Sequence, residues 1–289
     1  MALTVAQGFD SFLQRLTPTE VQRKAASLHR GSVEAALEGS LSVRRYREIG
    51  SFGHGTGVRH HYDVDLLVSL ANSQPGTSDT ALAWVSNALK ASFPSTAVYV
   101  RRPAVVVDFA QGTERWEITP GFLRPRVEGK PYVYDIPGAS SGWLQTAPVE
   151  HLTYVNEVNA QAGMTGGAKK LARFIKAWKY YNDVPMSSFY LEMRVAKYMA
   201  TQSLFIAVYD VCYLFEHLQA IQLAAMNDPK GASSRIYACS TTAKGTEAFS
   251  KVKTAATRAR KALEAHTAED TVTAFHYLDL LFGGKFPAR

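Results

Sequence analysis

"EIGSFGHGTGVRHHYDVDLLV", residues 48–68, sets four glycines and a serine ahead of two aspartates that are separated by a single valine. In an extended strand, residues two apart project from the same face. Asp63 and Asp65 should therefore share a face, while Leu66 to Val68 continue as a strand buried on both sides. Two carboxylates on one face repel each other unless a divalent cation sits between them. Hard oxygen ligands of this kind suit Mg²⁺, with phosphate oxygens completing its shell. The glycines have a complementary role: Gly50 is expected to turn the chain at positive φ, and backbone NH groups pointing outward at a helix N-terminus receive anions. Ser51 adds a hydroxyl donor. A Walker A loop would carry a lysine after its last glycine, and a dinucleotide-binding turn would follow a strand and open a helix. Here the glycines precede the strand and the acids follow them.

The flanking sequence supplies the rest of the architecture. Upstream, Phe9, Phe12, Leu13 and Leu16 mark a helix, and Thr17 or Thr19 of "TPTE" is placed to cap a second one running from about Glu20 toward Arg47. Downstream, short apolar runs at 63–70, 96–101, 104–110 and 113–122 are rich in β-branched residues and predict a mixed sheet, interrupted by a helix near Thr80 to Ser92. Asp108 ends the run "AVVVD" and is expected to bring a third carboxylate to Asp63 and Asp65. Three carboxylates can hold two ions, which in in-line phosphoryl displacement stand roughly 3.5 to 4 Å apart. Pro, Gly and Ser cluster at 134–148, which reads as a connector between lobes. From about His151 onward, helical periodicity returns over 168–182, 188–226, 244–266 and 269–284. The expectation is an α/β (α+β) protein with a mixed-sheet catalytic lobe and N-terminal helices over residues 1–150, and a helical lobe over 151–289 that closes a cleft.

Composition bounds the class. A chain of 289 residues, 46% of them hydrophobic, can bury the core of one large domain or two small lobes. Cys212 and Cys239 lie apart with no ligand-like spacing, so neither a disulfide framework nor a zinc site is indicated, and a reducing cytoplasm fits. Met1 to Gln14 lack the features of a secretion signal and no run reaches membrane-spanning length, so no membrane association is expected. A net charge of +7 favours polyanionic partners without choosing among nucleic acid, membrane surface and free nucleotides.

Gly50-Ser51, a glycine-containing turn, Asp63-x-Asp65 and Asp108 on a later strand, in that order, resemble the signature of the nucleotidyltransferase superfamily of the polymerase β type. Within it the chain is most similar to the bacterial cGAS/DncV-like nucleotidyltransferases, relatives of oligoadenylate synthase. That similarity extends through "IPG...GW..TAP" (136–148), "LARFIKAWK" (171–179), "SSFYLE" (187–192) and "FGGKFP" (282–287). The resemblance implies a two-lobed polymerase-β-like fold with two Mg²⁺ ions, for which Mn²⁺ substitutes. It implies that Gly50 and Ser51 hold a triphosphate, that Asp63 and Asp65 coordinate metal, and that Asp108 binds the ion facing the nucleophile. Lys176 and Ser188 fall where family members contact nucleotide phosphates from the helical lobe. The implied activity joins nucleoside triphosphates (ATP, GTP or pyrimidine nucleotides) into cyclic di- or trinucleotides or short oligonucleotides. These serve as antiphage signals for a downstream effector, and an activating protein or nucleic acid is a further implied partner.

Plainer roles compete at each of these residues. A lone Asp-x-Asp is ordinarily a solvated loop pair, Gly50 alone would merely end a helix, and Ser51 would serve as an N-cap; their combination with the following strand favours the phosphate and metal roles. His54, His60 and His61 do not form a recognised ligand set and are expected at the surface or beside the nucleotide. Lys251, Lys253, Arg258, Arg260 and Lys261 form a solvated helix face or, alternatively, a groove for nucleic acid. Trp178 is expected in the core, and Tyr180 or Tyr181 as a surface on which a base stacks. Two other functions compete: a template-independent transferase acting on RNA ends, tRNA or a protein hydroxyl, and a non-catalytic nucleotide sensor.

Overall fold

Thr4 and Thr19 each open a helix with a reciprocal capping box, Thr4 with Gln7 and Thr19 with Gln22, which satisfies amide donors that helix starts leave unpaired. The computed structural model describes residues 3–61, 63–110, 114–126, 128–231 and 235–289. The helices are α1 (Val5–Leu16) and α2 (Glu20–Glu38). Thr19 is the cap of α2, whereas Thr17 ends α1 and donates its hydroxyl to Leu13 O at 2.7 Å.

The second helix stops well short of Arg47. After Gly39, the residues Val43–Ile49 form a strand, β1, paired antiparallel to β2 (Val64–Leu70) with Ile49 opposite Asp65. Arginine and glutamate favour helices locally, and strand pairing overrides that preference here. The charged side chains also suit a sheet edge. Between the two strands, Gly50–Gly53 makes a single helical turn, α3.

The sheet runs β1-β2-β5-β4-β3, where α4 (Ser78–Ser92) precedes β3 (Ala97–Arg101), β4 (Ala104–Phe109) and β5 (Glu114–Leu123). Thr113 of the last predicted run, like Tyr62 of the opening stretch, lies outside the described residues. β2 and β5 are parallel and the other neighbours antiparallel, so the sheet is mixed as expected. On one face Val64, Leu66, Val68, Val105, Val107, Trp116 and Ile118 pack with α2 and α4 through Val33, Leu37, Leu82, Val85 and Leu89. Alternation then sends Asp63, Asp65, Asp108, Arg115 and Glu117 to the other face.

The stretch 134–148 is not a bare connector. It folds into a hairpin, β6 (Tyr134–Pro137) and β7 (Trp143–Thr146), that extends the sheet from β5, with Gly142 at positive φ in the turn. α5 (Pro148–Asn159), α6 (Gly167–Tyr181), α7 (Ser188–Met199), α8 (Ala207–Ala220), α9 (Thr242–Thr267) and α10 (Thr271–Leu281) follow. The predicted helical run 188–226 is therefore broken between α7 and α8, where Asp210 accepts from the amide of Ile206 at 2.7 Å. These helices share a second core, and α1 belongs to it: Phe9 and Phe12 pack on Phe174 of α6 and on Phe282 and Phe286 beyond α10. The first element of the chain thus sits with the last.

Candidate active site

The β1–β2 pairing fixes the geometry of the opening stretch. With Ile49 opposite Asp65, the next residue, Gly50, passes directly over the Asp65 carboxylate. Gly50 adopts φ +62°, and a Cβ at that position would fall 2.0 Å from Asp65 Oδ2. Glycine is required twice over, for its backbone conformation and for space. The turn closes through His54 N to Gly50 O at 3.0 Å and Thr56 N to Ser51 O at 2.9 Å.

Gly50, Ser51, His54, His61, Asp63 and Asp65 from the sheet lobe meet Lys176, Tyr180, Ser188, Phe189 and Glu192 from the helical lobe around a cavity of about 260 Å³. Six of the seven sequence-predicted site residues line it. Burial, reinforced by the neighbouring Asp63 charge, pushes the Asp65 carboxyl up to about 7. Burial likewise raises Asp63, against the pull of Arg101 and Arg115.

Asp108 is the exception. It lies on the expected face but on β4, which pairs with β5 rather than β2, and is opposite Arg115. Two strand spacings put it about 10 Å across the sheet. Arg115 Nε donates to it at 2.7 Å and Tyr99 OH at 3.1 Å, and the Arg115 hydrogen bond leads in lowering its pKa. The carboxylate that β5 brings beside Asp65 is Glu117, its direct partner in the parallel register. Arg101 of β3 bridges the two strands, bonded to Glu117 and 3.5 Å from Asp63.

Beneath the cavity lies a buried polar network that sequence reasoning did not assemble. Glu192 Oε1 is bonded to His54 Nδ1, and Glu192 Oε2 accepts from Thr56 Oγ1 at 2.5 Å and lies 3.5 Å from Lys176 Nζ. Burial by itself would raise the Glu192 carboxyl, but His54, Lys176 and Thr56 hold it down at about 2. Burial lowers Lys176. A second, half-buried ammonium is Lys179, which donates to Ser188 Oγ at 2.7 Å and lies 4.6 Å from the Tyr180 ring centroid. Burial, helped by the Lys176 charge, brings Lys179 down to about 8. Ser187 caps α7, which frees Ser188 to face the cavity. Tyr180 stacks on His61 at 4.8 Å, while Trp178 is in the core as expected and Tyr181 packs toward Phe12.

The basic helix α9 is largely committed elsewhere. Lys251 Nζ donates to the carbonyls of Asn182 and Asp183, Arg258 to that of Leu280, and Arg260 pairs with Glu216. Neither cysteine is in a disulfide. Among the described residues no helix is long and apolar enough to cross a membrane.

A sheet lobe bearing an acidic face, a positive-φ glycine-serine turn and a helical lobe supplying lysines define a nucleotidyltransferase of the polymerase β type. The chain belongs to the Second Messenger Oligonucleotide or Dinucleotide Synthetase domain family, whose model matches residues 3–159; it is a nucleotidyltransferase of the class that makes oligonucleotide second messengers. Its fold is similar to that of Escherichia coli MS115-1 CdnC solved with ATP (TM-score 0.78, 17% identity, 99% of each chain covered). It is also similar to Vibrio cholerae DncV cyclic AMP-GMP synthase with the linear intermediate pppA(3′,5′)pG (TM-score 0.77, 12% identity, 99% and 97% covered). A third is the Bradyrhizobium diazoefficiens CD-NTase CdnG with GTP (TM-score 0.77, 13% identity, 96% and 95% covered). No curated protein matches the chain in sequence.

Proposed function

We propose that this chain joins nucleoside triphosphates, ATP and GTP among them, into a cyclic di- or trinucleotide or short oligonucleotide with release of pyrophosphate, as an antiphage signal for a downstream effector. The observation that carries this reading is the convergence of both lobes on one cavity: the Gly50–Ser51 turn and the acids on one side, Lys176 and Ser188 on the other, with Lys179 bonded to Ser188 behind them. Gly50 and Ser51 bind the triphosphate, with Lys179 and Ser188 reaching it across the cleft. A compact ammonium is suited to that contact. The face of His61 or Tyr180 offers a stacking surface for a base.

Asp63, Asp65 and Glu117 suit a hard divalent cation such as Mg²⁺, or Mn²⁺ in its place, because all three are oxygen donors on one sheet face and burial beside Asp63 raises the Asp65 carboxyl, a penalty on its charge that a cation would offset. Among the described residues no three acidic, histidine or cysteine side chains are gathered tightly enough to enclose an ion, and Arg101 stands between Asp63 and Glu117. Occupancy therefore requires that guanidinium to withdraw. A bound cation would neutralise phosphate charge and favour ionisation of the attacking ribose hydroxyl. The protein's own contribution is positioning: the turn orients the triphosphate for attack at its α-phosphate and the lysines neutralise the departing pyrophosphate. In this reading Glu117 takes the part that the family resemblance implied for Asp108.

The test is direct. Purified protein with Mg²⁺ or Mn²⁺ and the four ribonucleoside triphosphates releases pyrophosphate and forms a phosphatase-resistant product, and the Asp63→Asn/Asp65→Asn double variant does neither. Label appearing only on added RNA or protein would instead establish an end-modifying transferase. Nucleotide binding without pyrophosphate release, in the presence of candidate activating proteins or nucleic acids as well, would establish a sensor.

A further inference from the structure

One nitrogen at the floor of the cavity has no hydrogen-bond partner among the described residues. His54 is 2% exposed, its Nδ1 is bonded to Glu192, and its buried Nε2 is unpaired, yet the residue borders the same cavity as Gly50 and Ser51. Buried polar atoms are normally satisfied, and an exception calls for a missing partner. We propose that the partner is the nucleotide: His54 Nε2–H donates to a phosphate oxygen of the bound triphosphate, with Glu192 balancing the imidazolium charge on the far side of the ring. This rests on the cavity being the triphosphate site.

Three observations bear on it. His54 closes the turn that carries Gly50 and Ser51, through its amide to Gly50 O at 3.0 Å, so its ring moves with the phosphate-binding backbone. A carboxylate on Nδ1 orients the ring, the arrangement by which histidine orientation is commonly set, and leaves Nε2 without a partner among the described residues. Glu192 also serves Lys176 at 3.5 Å. With Lys176 and the His54 imidazolium sharing one carboxylate, one positive charge is left over, which a phosphate offsets.

A phosphate offers acceptors alone, so Nε2 serves it only when protonated. The charged groups facing the ring and its turn are Glu192 from α7, Lys169, Lys176 and Arg173 from α6, Glu48 from β1, and Asp63 and Asp65 from β2 with its lead-in. None of them is bonded to Nε2.

Calorimetric titration of the intact protein and Mg²⁺ with the α,β-nonhydrolysable analogues of ATP and GTP measures affinity. His54→Leu binds roughly tenfold or more weakly than wild type. His54→Lys keeps a permanent cation beside Glu192, so it recovers affinity, an outcome that a purely structural histidine would not give. A folded His54→Lys binding as weakly as the leucine variant overturns the proposal. If wild type binds neither analogue, the triphosphate reading of the cavity fails and this inference with it; if wild type binds and His54→Leu binds equally well, this inference alone fails.

Discussion

Gly50 admits no side chain. A methyl group there meets the Asp65 carboxylate and is confined to positive φ, so Gly50→Ala is expected to abolish pyrophosphate release and to cost about 1–3 kcal/mol in thermal unfolding, from backbone strain and displaced packing. Glu192 makes a different residue-scale prediction. Its folded carboxyl is held at about 2, below the ordinary value of 4.5. A depressed carboxyl stabilises the fold above its unfolded pKa and loses that stabilisation as pH falls through the folded one. Melting temperatures should therefore decline between about pH 4.5 and 2, and Glu192→Gln should remove that part of the decline while lowering stability near neutrality. Asp63, Asp65 and Gly50 were legible because one short stretch of sequence holds both the turn and the strand it crosses. His54 and Glu192 were not, since their meeting spans 138 positions. "SSFYLE" offered only an acid on a helix, and no local pattern distinguishes a buried acid from a solvated one.

At the scale of elements, strand order decides which carboxylate lies beside Asp65. β5 enters between β2 and β4, so Glu117 faces Asp65 while Asp108 is a strand further away and engaged by Arg115. Glu117→Gln is expected to reduce pyrophosphate release by about a hundredfold or more, as loss of a charge-stabilising group does in other active sites, and Asp108→Asn to leave most of it. The reverse ranking would return the third acid to β4. Glu117 was hard to see because "ERWEITP" alternates acid and apolar residues as any half-buried strand does; the insertion of β5 is a tertiary fact. β1 was misread for a related reason: "VRRYREI" is full of helix-favouring residues, and only its pairing with β2 makes it a strand. On α9, side chains that looked free to bind nucleic acid are occupied. Replacing Lys251 and Arg258 together by Gln should lower the melting temperature, since both satisfy backbone carbonyls, while leaving product formation at permissive temperature intact.

For the whole molecule, the two halves are joined less by the sequence between them than by packing. The general plan, sheet first and helices after, could be read from periodicity, but the membership of α1 in the helical core could not, because an amphipathic helix does not name its partner. Phe12→Ala is expected to cost about 3–5 kcal/mol in denaturant unfolding, as truncation of a buried aromatic does. That cluster also has a history within each molecule. Phe9 and Phe12 are made early, yet the rings they rest on, Phe174, Phe282 and Phe286, arrive much later. On the ribosome, where chains emerge and fold from the N-terminal end, the sheet has its own helices to fold against at once. α1 must wait, its apolar stripe uncovered, until nearly the entire polypeptide has been synthesised, and its docking completes the helical core.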